Sequence, residues 1–158
     1  MNGIPHTSYR DGRYDLADLM AQVVRMAEEN VARGQRPYAA LVVADGDIVG
    51  EGVNTVLADG DPTAHAETQA VRDACARRGS RTLGGAHLIS SCHPCVMCQA
   101  VTQLAGIGTV YYAGPCMSRS TVVRPDLTIE LAAVPSAARP FELFEQTGLV
   151  LLDDPALT

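Results

Sequence analysis

No stretch of this chain approaches the run of about 20 apolar residues that a membrane helix needs, although 47% of its 158 residues are hydrophobic. The opening segment, Met1-Asn2-Gly3-Ile4-Pro5-His6, has neither the basic region nor the apolar region of a secretory signal, so a cytoplasmic location is expected. Positive charge is scarce as well: 12 Lys and Arg stand against 18 Asp and Glu, a net charge of −6. A protein that grips RNA or DNA carries a basic footprint, because phosphate contacts dominate that affinity. Nucleic acid is therefore not the expected partner; a small molecule is. The cations that do cluster, Arg72, Arg77, Arg78 and Arg81, read as a solvated helix face and its last turn, where they complement the helix dipole. Internal repeats, low-complexity segments and linkers are missing too. One domain over residues 1–158 is expected, and a chain of this length buries roughly 70% of its unfolded surface without disulfide staples.

What is present is a succession of helix and strand patterns. From Tyr14 to Arg33 the residues Leu16, Leu19, Met20, Val23, Val24 and Ala27 recur at helical spacing, and Gly34 offers a C-cap. Tyr38 to Ala44 is a short apolar run suited to a strand covered on both faces. Asp45-Gly46-Asp47 signals a hairpin turn, and Ile48 to Asn54 returns as its partner. Asp61-Pro62-Thr63 is expected to open the next helix, with Asp61 as cap and Pro62 in its first turn, running to Arg78 and stopping at Gly79. A strand at Ala86 to Ser90, a helix from Pro94 to Leu104, a strand at Thr109 to Ala113, a weaker strand at Leu127 to Ala132 and a helix near Ala138 to Thr147 complete the pattern. Strands alternating with helices after an opening hairpin predict an α/β layered fold with a mixed sheet.

Two short motifs carry the chemistry. His65-Ala66-Glu67 and Pro94-Cys95-Val96-Met97-Cys98 supply an imidazole, two thiols and a carboxylate, each motif where a loop becomes a helix N-terminus. A catalytic zinc takes three protein ligands and keeps a fourth position open for water. His65, Cys95 and Cys98 fill the three places; Cys95 and Cys98 are three residues apart, which on a helix puts both sulfurs on one face. The positive end of the helix dipole favours the thiolate form. A zinc-held water reaches a pKa of about 7, and Glu67, too close to His65 to be a comfortable fourth ligand, reaches that water and shuttles its proton.

Five cysteines without an export signal point to a reducing compartment, where Cys-x-x-Cys more often marks metal or redox chemistry than a bridge. Cys92 leaves alternatives open. Cys92, Cys95 and Cys98 form a Cys-x-x-Cys-x-x-Cys run which, with Cys116, is compatible with an iron–sulfur cluster, or Cys92 closes a purely structural zinc site. Cys75 lies on an apolar helical stripe and reads as core.

The stretches Asp61 to Glu67 and Ser91 to Cys98 resemble the cytidine and deoxycytidylate deaminase superfamily, whose signature is His-x-Glu followed by Pro-Cys-x-x-Cys. The similarity runs over about residues 14 to 113, nearest to the branch of guanine, cytosine and tRNA adenosine deaminases. It implies a three-layer α/β/α fold around a five-stranded mixed sheet, one zinc per chain on His65, Cys95 and Cys98, Glu67 as proton shuttle, and a homodimer. It also implies that Asn54, in Gly50-Glu51-Gly52-Val53-Asn54, hydrogen-bonds the base, that the Ala66 backbone N–H contacts a ring carbonyl, and that Tyr38 sits beside the ring. His93 departs from the family, which has Glu or Ser before that proline. The tail departs too: Phe141 and Phe144 are the aromatic residues near it, and the long basic C-terminal helix of the tRNA enzymes is missing. The expectation is hydrolytic deamination of a free amino-nucleobase, guanine first, cytosine next and triazine analogues after them. A tRNA adenosine deaminase or a non-catalytic structural zinc module are the alternatives.

Overall fold

The computed structural model describes residues 14–114 and 125–149. Helix α1 (Leu16–Ala32) begins after Asp15, whose carboxylate accepts the Ala17 N–H, and closes before Gly34, whose φ of 78° suits a residue without a Cβ. Strand β1 (Ala39–Ala44) is buried along its whole length. A two-residue turn joins it to β2 (Asp47–Val53), with Asp45 and Gly46 both left-handed at φ 54° and 77°. That turn matches the natural twist of a hairpin. A short helix α2 (Val56–Asp59), absent from the sequence pattern, precedes α3 (Ala66–Arg78).

The expected start of α3 is four residues too early. Asp61 accepts from the Thr63 N–H at 2.8 Å and the Thr63 hydroxyl at 2.7 Å, which closes a local turn and leaves His65 as the N-cap. The capping chemistry of Asp61 is real but belongs to that turn.

The remaining elements are β3 (His87–Ser90), α4 (Val96–Leu104), β4 (Thr109–Tyr112), β5 (Thr128–Leu131) and α5 (Arg139–Gln146). The five strands form one mixed sheet in the order β2-β1-β3-β4-β5. β1 runs antiparallel to β2 and β3, while β3, β4 and β5 are mutually parallel. Period-two alternation divides β1 between two cores. Ala39, Leu41 and Val43 pack with Leu19, Met20 and Val23 of α1, and Ala40, Val42 and Ala44 pack with Ala66, Ala70 and Ala74 of α3. This is the three-layer α/β/α arrangement expected from the sequence.

Gly50 and Gly52 let α3 lie directly on β2. A Cβ on Gly52 would stand 2.2 Å from the Ala66 carbonyl oxygen and 2.3 Å from the Ala70 nitrogen. That close seating fixes the first turn of α3, and with it His65 and Glu67, at one end of the sheet. Among the described residues, no helix is long and apolar enough to cross a membrane.

Candidate metal centre

His65 and Cys95 occupy the N-cap positions of α3 and α4, with extended backbones (ψ 152° and 167°) that turn both side chains inward beneath the helix starts. Cys98 follows one turn into α4. The ligand atoms of His65, Cys95 and Cys98 converge within 4.8 Å of one another, all buried. His65 Nδ1 lies 3.6 Å from each sulfur. A tetrahedral zinc with arms of about 2.3 Å to sulfur and about 2.0 Å to nitrogen has an N···S edge of about 3.5 Å. Donor chemistry and spacing therefore fit zinc.

The sulfurs are unequal in the metal-free protein. The Cys98 thiol donates toward Cys95 and, helped by His65, lowers Cys95 to about 4. The same bond and burial push Cys98 well above the ordinary thiol range. A metal needs both as thiolates, so binding releases a proton from Cys98.

Glu67 is 5% exposed. Burial, followed by the neighbouring Cys95 charge, raises its pKa above the usual carboxylate range. Its Oε2 lies 3.4 Å from the Cys98 sulfur, and its Oε1 accepts the Ser90 hydroxyl at 3.1 Å. Ser90 is a neighbour of Glu67 that the motifs do not reveal. The signal was its polarity at the end of a buried strand: alternation puts Ser90 on the face of Leu88, the face that α3 covers. Thr68, with its hydroxyl 3.8 Å from the Cys98 sulfur, is another.

Four further residues were expected at the base: Asn54, Ala66, Tyr38 and His93. Asn54 is buried, and its Oδ1 accepts the Val56 N–H at 3.2 Å. That contact orients the carboxamide, and among the described residues no acceptor takes the two N–H groups of Nδ2. Ala66 is the first residue of α3, where backbone N–H groups have no intrahelical acceptor. Tyr38 is 8% exposed, and its ring meets Phe141 of α5 edge-on at 5.7 Å, packed in the core. Phe144 is core. His93 is half-buried, its ring edge-on to Tyr112 at 5.1 Å. Its Nδ1 lies 3.0 Å from the Pro94 carbonyl. A carbonyl only accepts, so Nδ1 is the donor in this contact. Cys92 is buried in the core and is not among the converging ligands, so it does not supply the further thiolate that the closed-zinc reading required. Cys75 is half-buried against the core, and Cys116 lies outside the described residues.

A family model for the cytidine and deoxycytidylate deaminase zinc-binding region matches residues 14–114. The chain belongs to this deaminase family. It is 40% identical over 97 residues to a guanine deaminase of Bacillus subtilis, covering 61% of this chain and 57% of that protein. A tRNA-specific adenosine deaminase of Aquifex aeolicus is 34% identical over 90 residues, covering 57% of this chain and 60% of that one. This chain thus spans less than two thirds of each of these two relatives. The solved structure of a guanine deaminase from Bacillus subtilis superposes with a TM-score of 0.61 at 28% identity, over 85% of this chain and 95% of the other. The three converging residues, His65, Cys95 and Cys98, lie wholly within the matched region.

Proposed function

We propose that this deaminase hydrolyses the exocyclic amine of a free nucleobase, guanine first and cytosine next, with triazine analogues after them. The observation that carries the proposal is the buried Glu67 carboxylate beside a three-ligand cluster, with Ser90 fixing one of its oxygens. A purely structural zinc has no use for such a group. Zinc held by His65, Cys95 and Cys98 supplies an acidified water. Glu67 would take one proton from the attacking water and deliver it to a ring nitrogen, then take the second from the hydroxyl added at the ring carbon and pass it to the departing amine as the C=O forms. The balance for guanine is guanine plus water giving xanthine plus ammonia. A raised pKa suits this task, because the carboxyl holds a proton at neutral pH more readily than an exposed one. Asn54 presents its two N–H donors to acceptors on the base edge, and the Ala66 N–H faces a ring carbonyl. Tyr38 and Phe141 form the aromatic wall, and His93 offers its remaining ring nitrogen to the polar edge of the base.

Cytoplasmic action as a homodimer on a small substrate belongs to the same reading. The similarity to tRNA-specific adenosine deaminases supports a second one, with RNA as substrate. Charge disfavours it: Arg77 is engaged by Asp73 at 2.9 Å and Arg78 by Asp45 at 3.2 Å, within a chain of net charge −6. Zinc-loaded protein assayed against guanine, cytosine, adenine and an anticodon stem-loop discriminates the two. Turnover of one free base and none of the stem-loop is the expected result; turnover of the stem-loop alone would replace it with the RNA reading.

A further inference from the structure

Asn30 breaks the apolar face of α1. It follows Val23 and Ala27 on the buried stripe, is itself 1% exposed, and stands where helix propensity and burial both favour an aliphatic residue. Its carboxamide spends both N–H groups on main-chain carbonyls of two other segments: Arg36 at 2.8 Å and Asn54 at 2.9 Å. The Arg36 carbonyl also accepts the Tyr38 N–H at 2.9 Å, and the Tyr38 carbonyl accepts the Asn54 N–H at 3.1 Å. These four bonds close a circuit from Asn30 through Arg36, Tyr38 and Asn54 back to Asn30. Two of its members, Tyr38 and Asn54, are the residues assigned to the base.

We infer that Asn30 is a positioning residue for base recognition: it sets the aim of Asn54 and Tyr38 while taking no part in the chemistry. The inference rests on the free-base reading of the site. Geometry gives the reason for a carboxamide. Its two N–H bonds diverge by about 120° in one plane and so span two carbonyls, which a hydroxyl with a single hydrogen cannot do. The Asn54 carbonyl is held from α1 while its Oδ1 is held by Val56. Rotation of Asn54 is thus restrained at both ends, and only Nδ2 is left for a ligand. Asn30 touches neither His65, Cys95 and Cys98 nor Glu67, so its loss spares the metal and the proton shuttle.

The test compares Asn30→Leu and Asn30→Asp, both with the branched four-atom skeleton of asparagine and neither able to donate to two carbonyls, in zinc-loaded protein with guanine. The expected result is a KM raised tenfold or more, kcat within about threefold, and zinc unchanged at one per chain. Calorimetric binding of guanine in a Glu67→Ala background supplies the second readout. There, Asn30→Leu combined with Asn54→Ala should bind no more than about twofold worse than Asn54→Ala alone, because residues acting through one contact do not add. An unchanged KM, a parallel fall of kcat and zinc content, or losses that multiply in the double variant would each overturn the positioning role. A wild-type protein that turns over no free base would instead sink the pocket reading, and the inference with it. Should one variant fail to fold, the other carries the same comparison.

Discussion

Glu67 is the residue on which stability and function pull in opposite directions. Its folded pKa is raised, chiefly by burial. Below the unfolded-state value both states hold the proton and the group costs nothing. As pH climbs from there toward the folded value, the unfolded chain releases its proton first, so the metal-free protein loses stability. Glu67→Gln removes that loss. Thermal melts of metal-free protein between about pH 4 and pH 8 should show the Glu67→Gln variant gaining on the wild type as pH rises; a gap that shrinks with pH would refute the buried-acid account. Ser90 makes a second prediction at this scale. Ser90→Ala frees the Oε1 end of Glu67 and should lower kcat roughly tenfold, the worth of about one buried hydrogen bond to a charged group, with zinc content intact. Ser90→Thr, which keeps the hydroxyl, should recover most of the rate in steady-state assays. His65, Glu67, Cys95 and Cys98 were legible in the sequence because metal and acid chemistry demand those residue types at short spacings. Ser90 and Thr68 were not, since a lone hydroxyl acquires meaning only from what the fold places opposite it.

At the scale of elements, the seating of α3 on β2 carries the site. The three atoms that a Cβ on Gly52 would strike are all backbone atoms, so no side-chain rotation relieves the clash. Gly52→Ala should cost about 3 kcal/mol or more and weaken zinc binding, because the helix start that must shift adjoins His65. Denaturant melts and zinc competition titrations check the two effects. A variant with wild-type zinc affinity would show that α3 is not held in place by this contact. Helical periodicity revealed α1, and apolar runs bounded by turn residues revealed the hairpin and the other strands among the described residues. It missed α2, a four-residue helix with no buried residue, which leaves no apolar period to read. It also began α3 too early, because an Asp-Pro-Thr turn and a helix N-cap use the same side-chain chemistry and differ only in whether the next residues stay helical.

For the whole molecule, the acidic balance makes salt dependence the test of a base against a polynucleotide as substrate. A protein making 6 to 10 phosphate contacts loses about 10³–10⁵ in affinity between roughly 50 and 200 mM salt. Turnover of a neutral base by this chain should change less than about twofold over that range, as read by kcat/KM at each salt concentration. A steep fall would point to phosphate recognition and to the arginines of α3. The fold class was legible from the order of strand and helix patterns alone. Substrate choice was not, because Asn54, Tyr38 and His93 acquire their directions from contacts between segments distant in sequence.

The most direct measurement is ammonia release from guanine by zinc-loaded wild type and zinc-loaded Glu67→Ala. Turnover by the wild type is predicted, with a loss of about 10²–10⁴-fold in the variant and one zinc retained per chain in both. Equal rates in the two proteins, or no ammonia from the zinc-loaded wild type with any free base, would contradict the assignment of Glu67 as the proton shuttle of a free-base deaminase.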